Sequence, residues 1–144
     1  MIVQANIKDA KTVAKLAINM WPSHTIDELT ADFERVIADK NAAVFLYYIK
    51  ENAIGFAQCQ LRFDYVEGTD SSPVGYLEGI YVTEDFRHQG YGKMLLRVCE
   101  QWATEHNCKE FASDCELDNA QSLAFHLYNG FDEVNRIICF VKKL

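Results

Sequence analysis

The hexapeptide Arg87-His88-Gln89-Gly90-Tyr91-Gly92 carries the plainest chemistry in the sequence. It follows the apolar run Val74 to Val82 and precedes a segment whose apolar positions recur at helical spacing. Glycines at such a junction let the backbone approach a ligand closely. The first turn of the following helix offers unpaired N–H groups at the positive end of its dipole. Arg87 supplies a guanidinium, and Lys93 adds an ammonium. Together these groups suit an anion such as a pyrophosphate. The pattern is not a P-loop, because G-x-x-x-x-G-K-[ST] is absent. It is not the dinucleotide fingerprint either, which has three glycines and an acid after the next strand. An ordinary glycine-bearing helix cap is the alternative reading.

Glu78 is the second residue that points to chemistry. It interrupts the apolar run Tyr76-Leu77-Glu78-Gly79-Ile80-Tyr81-Val82, and a buried carboxylate without a partner is costly, so Glu78 requires a function or a partner. The cysteines are Cys59, Cys99, Cys108, Cys115 and Cys139. Their odd number and the lack of a C-x-x-C pair disfavour a disulfide framework and a zinc site, so no metal is expected. Cys115 and Cys139 have no evident partner base, which disfavours covalent acyl-enzyme chemistry.

The elements that position these residues follow from periodicity. Ile2 to Asn6 reads as a short strand. Asp9 is expected to cap a helix bearing Val13, Leu16, Ala17 and Met20 on one face. Trp21-Pro22-Ser23-His24 breaks it, and a second helix is expected over Ile26 to Ala38. Ala42 to Lys50 and Ala53 to Phe63 read as a hairpin turning at Glu51-Asn52. Asp64 to Pro73 is a polar loop and Val74 to Val82 a strand. Gly90 to about Asn107 is helical, with Met94, Leu95, Val98, Cys99, Trp102 and Ala103 on one face. A strand over Glu110 to Cys115, a helix over Ala120 to Asn129 ended by Gly130, and a strand over Arg136 to Lys142 complete the order. The expected fold class is α/β, a central mixed sheet flanked by helices.

At 144 residues and 49% hydrophobic content, the chain fits one domain with a packed core. Acidic residues outnumber basic ones, 21 to 14. No nucleic-acid partner is expected, because phosphate binding needs a basic face, while a cationic substrate suits the sign of the charge. No apolar run approaches the ~20 residues of a membrane span. The amino terminus does not resemble a secretion signal. No membrane partner and a cytoplasmic location are therefore expected.

R-x-x-G-x-G between a strand and a long helix resembles motif A of the GNAT acetyltransferase superfamily. That resemblance implies a mostly antiparallel GNAT sheet and acetyl-coenzyme A as cosubstrate. In such proteins backbone groups of the strand matching Ile80, Tyr81 and Val82 pair with the pantetheine arm, an N–H near Val82 polarises the thioester carbonyl, and Asn119 meets the cofactor. Four blocks further resemble the aminoglycoside 6'-N-acetyltransferases: Trp21-Pro22-Ser23-His24, the loop Phe63 to Val74, Leu77 to Val82, and Ala112-Ser113-Asp114 followed by Asp118-Asn119. The loop block D-Y-V-x-G-x-D-S-S-P-V is the most specific.

This second resemblance implies that Trp21, His24 and Tyr65 wall a polycationic substrate and that Glu78 and Asp114 hold its ammonium groups. Glu78, or a water held by Glu78 and Asp114, is the candidate base. Asn135 stands where an acid that touches the drug is expected. His126 occupies the place of a proton-donating tyrosine; it is either that donor or a helix-face residue packed beside the cofactor. The resemblance also implies a homodimer. Two alternatives keep the same fold: acetylation of a polyamine, amino sugar or peptide amine, or a non-catalytic acetyl-coenzyme A sensor.

Overall fold

The computed structural model describes residues 1–144. Its strands are β1 (Ile2–Gln4), β2 (Ala42–Ile49), β3 (Asn52–Arg62), β4 (Val74–Val82) and β5 (Phe111–Ser113), and its helices are α1 (Ala10–Ala17), α2 (Ile26–Ala38), α3 (Tyr91–Glu105) and α4 (Ala120–Tyr128). The strands form one sheet in the order β1-β2-β3-β4-β5. All neighbours are antiparallel except β4 and β5.

The composition of β2 explains the layers. Its sequence AAVFLYYI contains no charged residue because both faces of the sheet are covered. Ala43, Phe45 and Tyr47 pack with Leu95, Leu96, Cys99 and Trp102 of α3. Val44 and Leu46 pack on the opposite face with Val13 and Leu16 of α1, Leu29 and Phe33 of α2, and Phe56 of β3. Phe56 is fully buried, and such burial is worth roughly 2–3 kcal/mol. Leu96 joins this core although the expected stripe of α3 omitted it, while Met94, expected there, is 44% exposed.

Several boundaries shift for local reasons. The β2–β3 turn is Lys50-Glu51, one residue earlier than expected, with Ile49 paired to Asn52 and Lys50 at φ 55°. Asp9 stands at the cap position of α1 as expected, but its side chain makes no bond to that helix. The Asn6 side chain accepts from Lys8 N, and Asp9 accepts from Asn6 N, across a short 3₁₀ turn over Ile7–Asp9. Thr25 and Glu28 form a reciprocal capping box for α2, the arrangement that satisfies its free N–H groups.

The strand expected over Arg136 to Lys142 does not form: residues 131–144 belong to no helix or strand. A strand exists only where its backbone finds a ladder partner, and this segment has none within the chain. Ile137, Ile138, Phe140 and Val141 stand exposed, each 70% or more. The outer edge of β5 is likewise unpaired. No helix is long and apolar enough to cross a membrane.

Candidate active site

The site begins where the sheet comes apart. β4 and β5 pair only over Gly75–Phe111, Tyr76–Ala112 and Leu77–Ser113. β4 continues to Val82, so Gly79, Ile80, Tyr81 and Val82 have no strand on that side. The register explains why Glu78 marks the parting. Gln58 pairs with Gly79 and Cys59 with Leu77, which leaves Glu78 as an extra residue in β4. A bulge of this kind bends a strand and turns it away from its neighbour. The result is a cleft with an unpaired backbone edge on one wall.

The glycine loop closes one end of that cleft. His88 at φ 59° and Gly90 at φ 87° are both left-handed, and residues of that conformation can build a concavity of backbone N–H groups suited to an anion. A Cβ on Gly90 would meet nothing, so its glycine is required by conformation. Gly92 is required by packing instead: a Cβ there would lie 3.2 Å from the Phe125 ring of α4 and 3.9 Å from Val82. The start of α3, the end of β4 and α4 thus converge at one point.

Arg87 Nε donates to Val82 O at 2.9 Å, and its terminal nitrogens are left for an anion. Gln89 donates to Asp85 O, fixing the loop. Tyr91 packs on Tyr47 and Phe86 and is therefore a core contact. Lys93 Nζ lies 5.8 Å from the Tyr128 ring centroid, beside a cavity of about 290 Å³ between α3 and α4 that Arg97 and Asn129 also line. Asn119 caps α4 by accepting from Ser122 N at 3.0 Å.

Glu78 and Asp114 are brought together through two residues that the sequence did not single out. Arg62, at the end of β3, donates from Nε at 3.1 Å and from Nη2 at 2.9 Å to Glu78 Oε1, and from Nη2 at 3.2 Å to Oε2. Its guanidinium carbon lies 3.4 Å from the Tyr76 ring centroid. The Tyr76 hydroxyl donates to Asp114 Oδ2. Burial, then the bond to Asp114, hold the Tyr76 phenol far above its ordinary value. Glu78 therefore has the partner its position required. The cluster carries two carboxylates against one guanidinium and remains attractive to a cation.

His126 is oriented at both ring nitrogens. Nδ1 lies 2.7 Å from Ser122 O and Nε2 lies 2.8 Å from Ser113 Oγ. The carbonyl can only accept, so Nδ1 carries a hydrogen, and Nε2 shares a hydrogen bond with the Ser113 hydroxyl whose direction depends on whether the ring holds a second proton. Ser113 is the last β5 residue paired to β4, at the apex of the cleft.

The other expected wall residues lie on two sides of this centre. Trp21 packs on Phe33 and Phe56, and its ring would be 3.1 Å from a Cβ at Gly79. Trp21 is thus both a core aromatic and a wall next to Glu78. His24 and Trp21 line a cavity of about 240 Å³ with Asp32, Phe33 and Gln58. His24 Nδ1 lies 3.5 Å from Glu28, an exposed contact of little energetic weight. Tyr65 is 77% exposed and its hydroxyl accepts weakly from Gly68 N at 3.4 Å. Asn135 donates to Glu67 Oε1 at 2.8 Å and so sits against the same loop.

That loop is held from below. Glu110 accepts from Asp70 N at 2.9 Å and from Ser71 Oγ, which lowers its carboxyl from the usual value. Val66, Val74 and Tyr76 form a small buried cluster beneath it. No group of three or more His, Cys, Asp or Glu side chains gathers in a metal-binding arrangement.

The cleft fits a long, amide-bearing anion: an unpaired strand edge for its amides, a helix start with Arg87 for its phosphates, and carboxylates at the far end for a cationic second substrate. Comparison with known proteins agrees. The acetyltransferase (GNAT) family profile matches residues 11–131. An aminoglycoside N(6')-acetyltransferase type 1 of Acinetobacter haemolyticus is 39% identical over 144 residues, covering 96% of this chain and 99% of the relative. A Serratia marcescens protein of the same name is 34% identical, over 100% of this chain and 99% of its own. Among solved structures, AAC(6')-Iy in complex with the bisubstrate analogue CoA-S-monomethyl-acetylneamine superposes with a TM-score of 0.95 at 38% identity, covering 100% of this chain and 98% of that one.

Proposed function

The chain belongs to the acetyltransferase (GNAT) family, and from that premise we propose that it transfers the acetyl group of acetyl-coenzyme A to the 6'-amino group of aminoglycoside antibiotics and so confers resistance. Near full-length similarity to several aminoglycoside N(6')-acetyltransferases carries this reading. The paired carboxylates at the end of the cleft supply its chemical support. The whole chain, residues 1–144, acts as one acetyltransferase domain.

Acetyl-coenzyme A supplies the acetyl group as a thioester when bound. The residues that hold it are the backbone of Ile80, Tyr81 and Val82, the loop from Arg87 to Gly92, and Asn119 at the start of α4. Lys93 contributes charge at the outer edge. An N–H near Val82 would stabilise the negative charge that grows on the thioester oxygen. Trp21, His24, Tyr65 and Asn135 shape the antibiotic pocket, while Glu78 and Asp114 attract and orient its ammonium groups.

Only a free amine attacks, so an ammonium proton must first be lost to the Glu78–Asp114 pair, directly or through a water. With both ring nitrogens protonated, His126 provides from Nε2 the proton that the departing sulfur needs, and the ring is left neutral. The 2.8 Å approach of its Nε2 to Ser113 Oγ supports a hydroxyl-mediated path. Much of the acceleration comes from holding amine and thioester in register.

Two further points belong to this reading. Dependence on acetyl-coenzyme A, which is made and kept inside cells, favours the cytoplasm. The exposed apolar segment Ile137 to Val141 and the open edge of β5 support a homodimer in which each copy covers the other's edge.

Incubating the purified protein with acetyl-coenzyme A and an amine panel tests the proposal. Kanamycin and tobramycin are expected to be acetylated, with NMR placing the acetyl group on the 6'-nitrogen. Turnover of a polyamine or peptide amine with no aminoglycoside turnover overturns it.

A further inference from the structure

Arg62 and Tyr76 link the two carboxylates in an unsymmetrical way. Glu78 has both oxygens taken by one guanidinium, at 2.9 and 3.2 Å from Nη2 with Nε adding a third contact at 3.1 Å. Its side chain is 21% exposed. Asp114 is exposed, accepts one hydrogen bond, from the neutral Tyr76 hydroxyl, and has its second oxygen free of protein donors. A carboxylate with both oxygens engaged by a guanidinium has few lone pairs left for an incoming ammonium proton. A carboxylate with one neutral donor keeps a whole oxygen open to it.

Resting on the aminoglycoside reading, we propose that Arg62 and Tyr76 are positioning residues that assign the two carboxylates different tasks. Arg62 keeps Glu78 as a fixed anion that orients ammonium groups of the substrate. Tyr76 aims Asp114 so that its open oxygen takes the proton from the amine that is acetylated. In that step an N–H bond of the ammonium breaks, its electron pair stays on nitrogen, and an O–H bond forms at Asp114. Asp114 then returns the proton to solvent. The Arg62 guanidinium, stacked on Tyr76 at 3.4 Å, fixes the ring that fixes Asp114. One cation thereby sets the geometry at both ends of the chain of contacts.

The charged and titratable groups around Asp114 come from four elements. Tyr76 and Glu78 approach from β4 and Arg62 from β3. His126 of α4 approaches through Ser113, and from the carboxy-terminal segment Arg136, paired with Glu133, is close enough to Cys115 to interact with it electrostatically. Only Tyr76 bonds Asp114 directly.

Two variants, Tyr76→Phe and Arg62→Met, separate the tasks when read by kcat/KM against pH and by ¹³C-carboxyl NMR titration of the ligand-free protein. Tyr76→Phe removes a donor to the charged form of Asp114. Its titration and the acidic limb of kcat/KM are both expected to move upward by roughly half to one pH unit. Glu78 should titrate where it does in the wild type. Arg62→Met should move the Glu78 titration upward and raise the aminoglycoside KM several-fold, with the acidic limb following Asp114. An Asp114 titration unchanged in Tyr76→Phe overturns the proposal, as does a kinetic limb that tracks Glu78 in Arg62→Met. Absence of aminoglycoside turnover by the wild type sinks the substrate reading alone, because the NMR titrations still report whether Tyr76 and Arg62 set the two carboxylates apart.

Discussion

Asp114 and Glu78 predict different kinetic failures. Asp114→Asn keeps the shape and the Tyr76 contact but removes the proton acceptor. A kcat loss of about a hundredfold is expected, within the usual range for a general base. Glu78→Gln leaves the Arg62 guanidinium without its anion and weakens the hold on ammonium groups, so it should raise the aminoglycoside KM more than it lowers kcat. Acetyl-coenzyme A affinity, read by calorimetry, should stay within about twofold for both, since neither side chain belongs to the helix-start anion site. Glu78 was legible in the sequence because a carboxylate in an apolar strand demands an explanation. Arg62 was not, because its role depends on the register of β3 against β4. The extra residue in β4, between Leu77 opposite Cys59 and Gly79 opposite Gln58, is what brings Glu78 within reach of Arg62. Tyr76 was hidden for the same reason. His126 was visible as a proton donor, but its bond to Ser113 required the fold of α4 against β5.

The two glycines of the loop before α3 make separable predictions about that element. Gly90→Ala places a side chain at φ 87° with open space around it. The cost is conformational, about 1 kcal/mol, and should appear as a drop in Tm of roughly 3 °C. Gly92→Ala meets the Phe125 ring at 3.2 Å and must displace α4, whose first turn carries Asn119. Its larger effect should be a weaker acetyl-coenzyme A Kd; equal Kd values for Gly92→Ala and the wild type would show that the α3–α4 contact does not shape the cofactor cleft. The helices were legible almost to the residue where caps and spacing agree, as in Ile26–Ala38 with its Thr25–Glu28 box. The start of α1 after Asp9 was legible, but not that the Asp9 side chain turns back to Asn6 across an intervening 3₁₀ turn. The β4–β5 parting lies beyond sequence periodicity, since nothing in the alternation of β4 states where its neighbour stops.

At the scale of the whole molecule, the carboxy-terminal segment is the unfinished part. Its sequence has the β-branched and aromatic character of a strand, yet the chain alone offers no edge that it occupies. The homodimer proposed above predicts that a chain ended after Asn135 runs as a monomer, and the full chain as a dimer, in size-exclusion chromatography with light scattering. A full-length protein that remains monomeric at high concentration would refute the paired arrangement. The proposed dimer should also dissociate on dilution, as any mass-action equilibrium does. The donor segment and the β5 edge of each chain permit two kinds of assembly. Reciprocal exchange satisfies both at once and stops at two copies, whereas one-way donation leaves a segment at one end and an edge at the other, and grows into a filament. What separates a closed pair from an open polymer is the path of the short connection from Phe131 to Asn135, where Val134 lies against Gly68 and Asn135 bonds Glu67. Substitutions that stiffen or redirect those few residues are where closed pairs would give way to fibres.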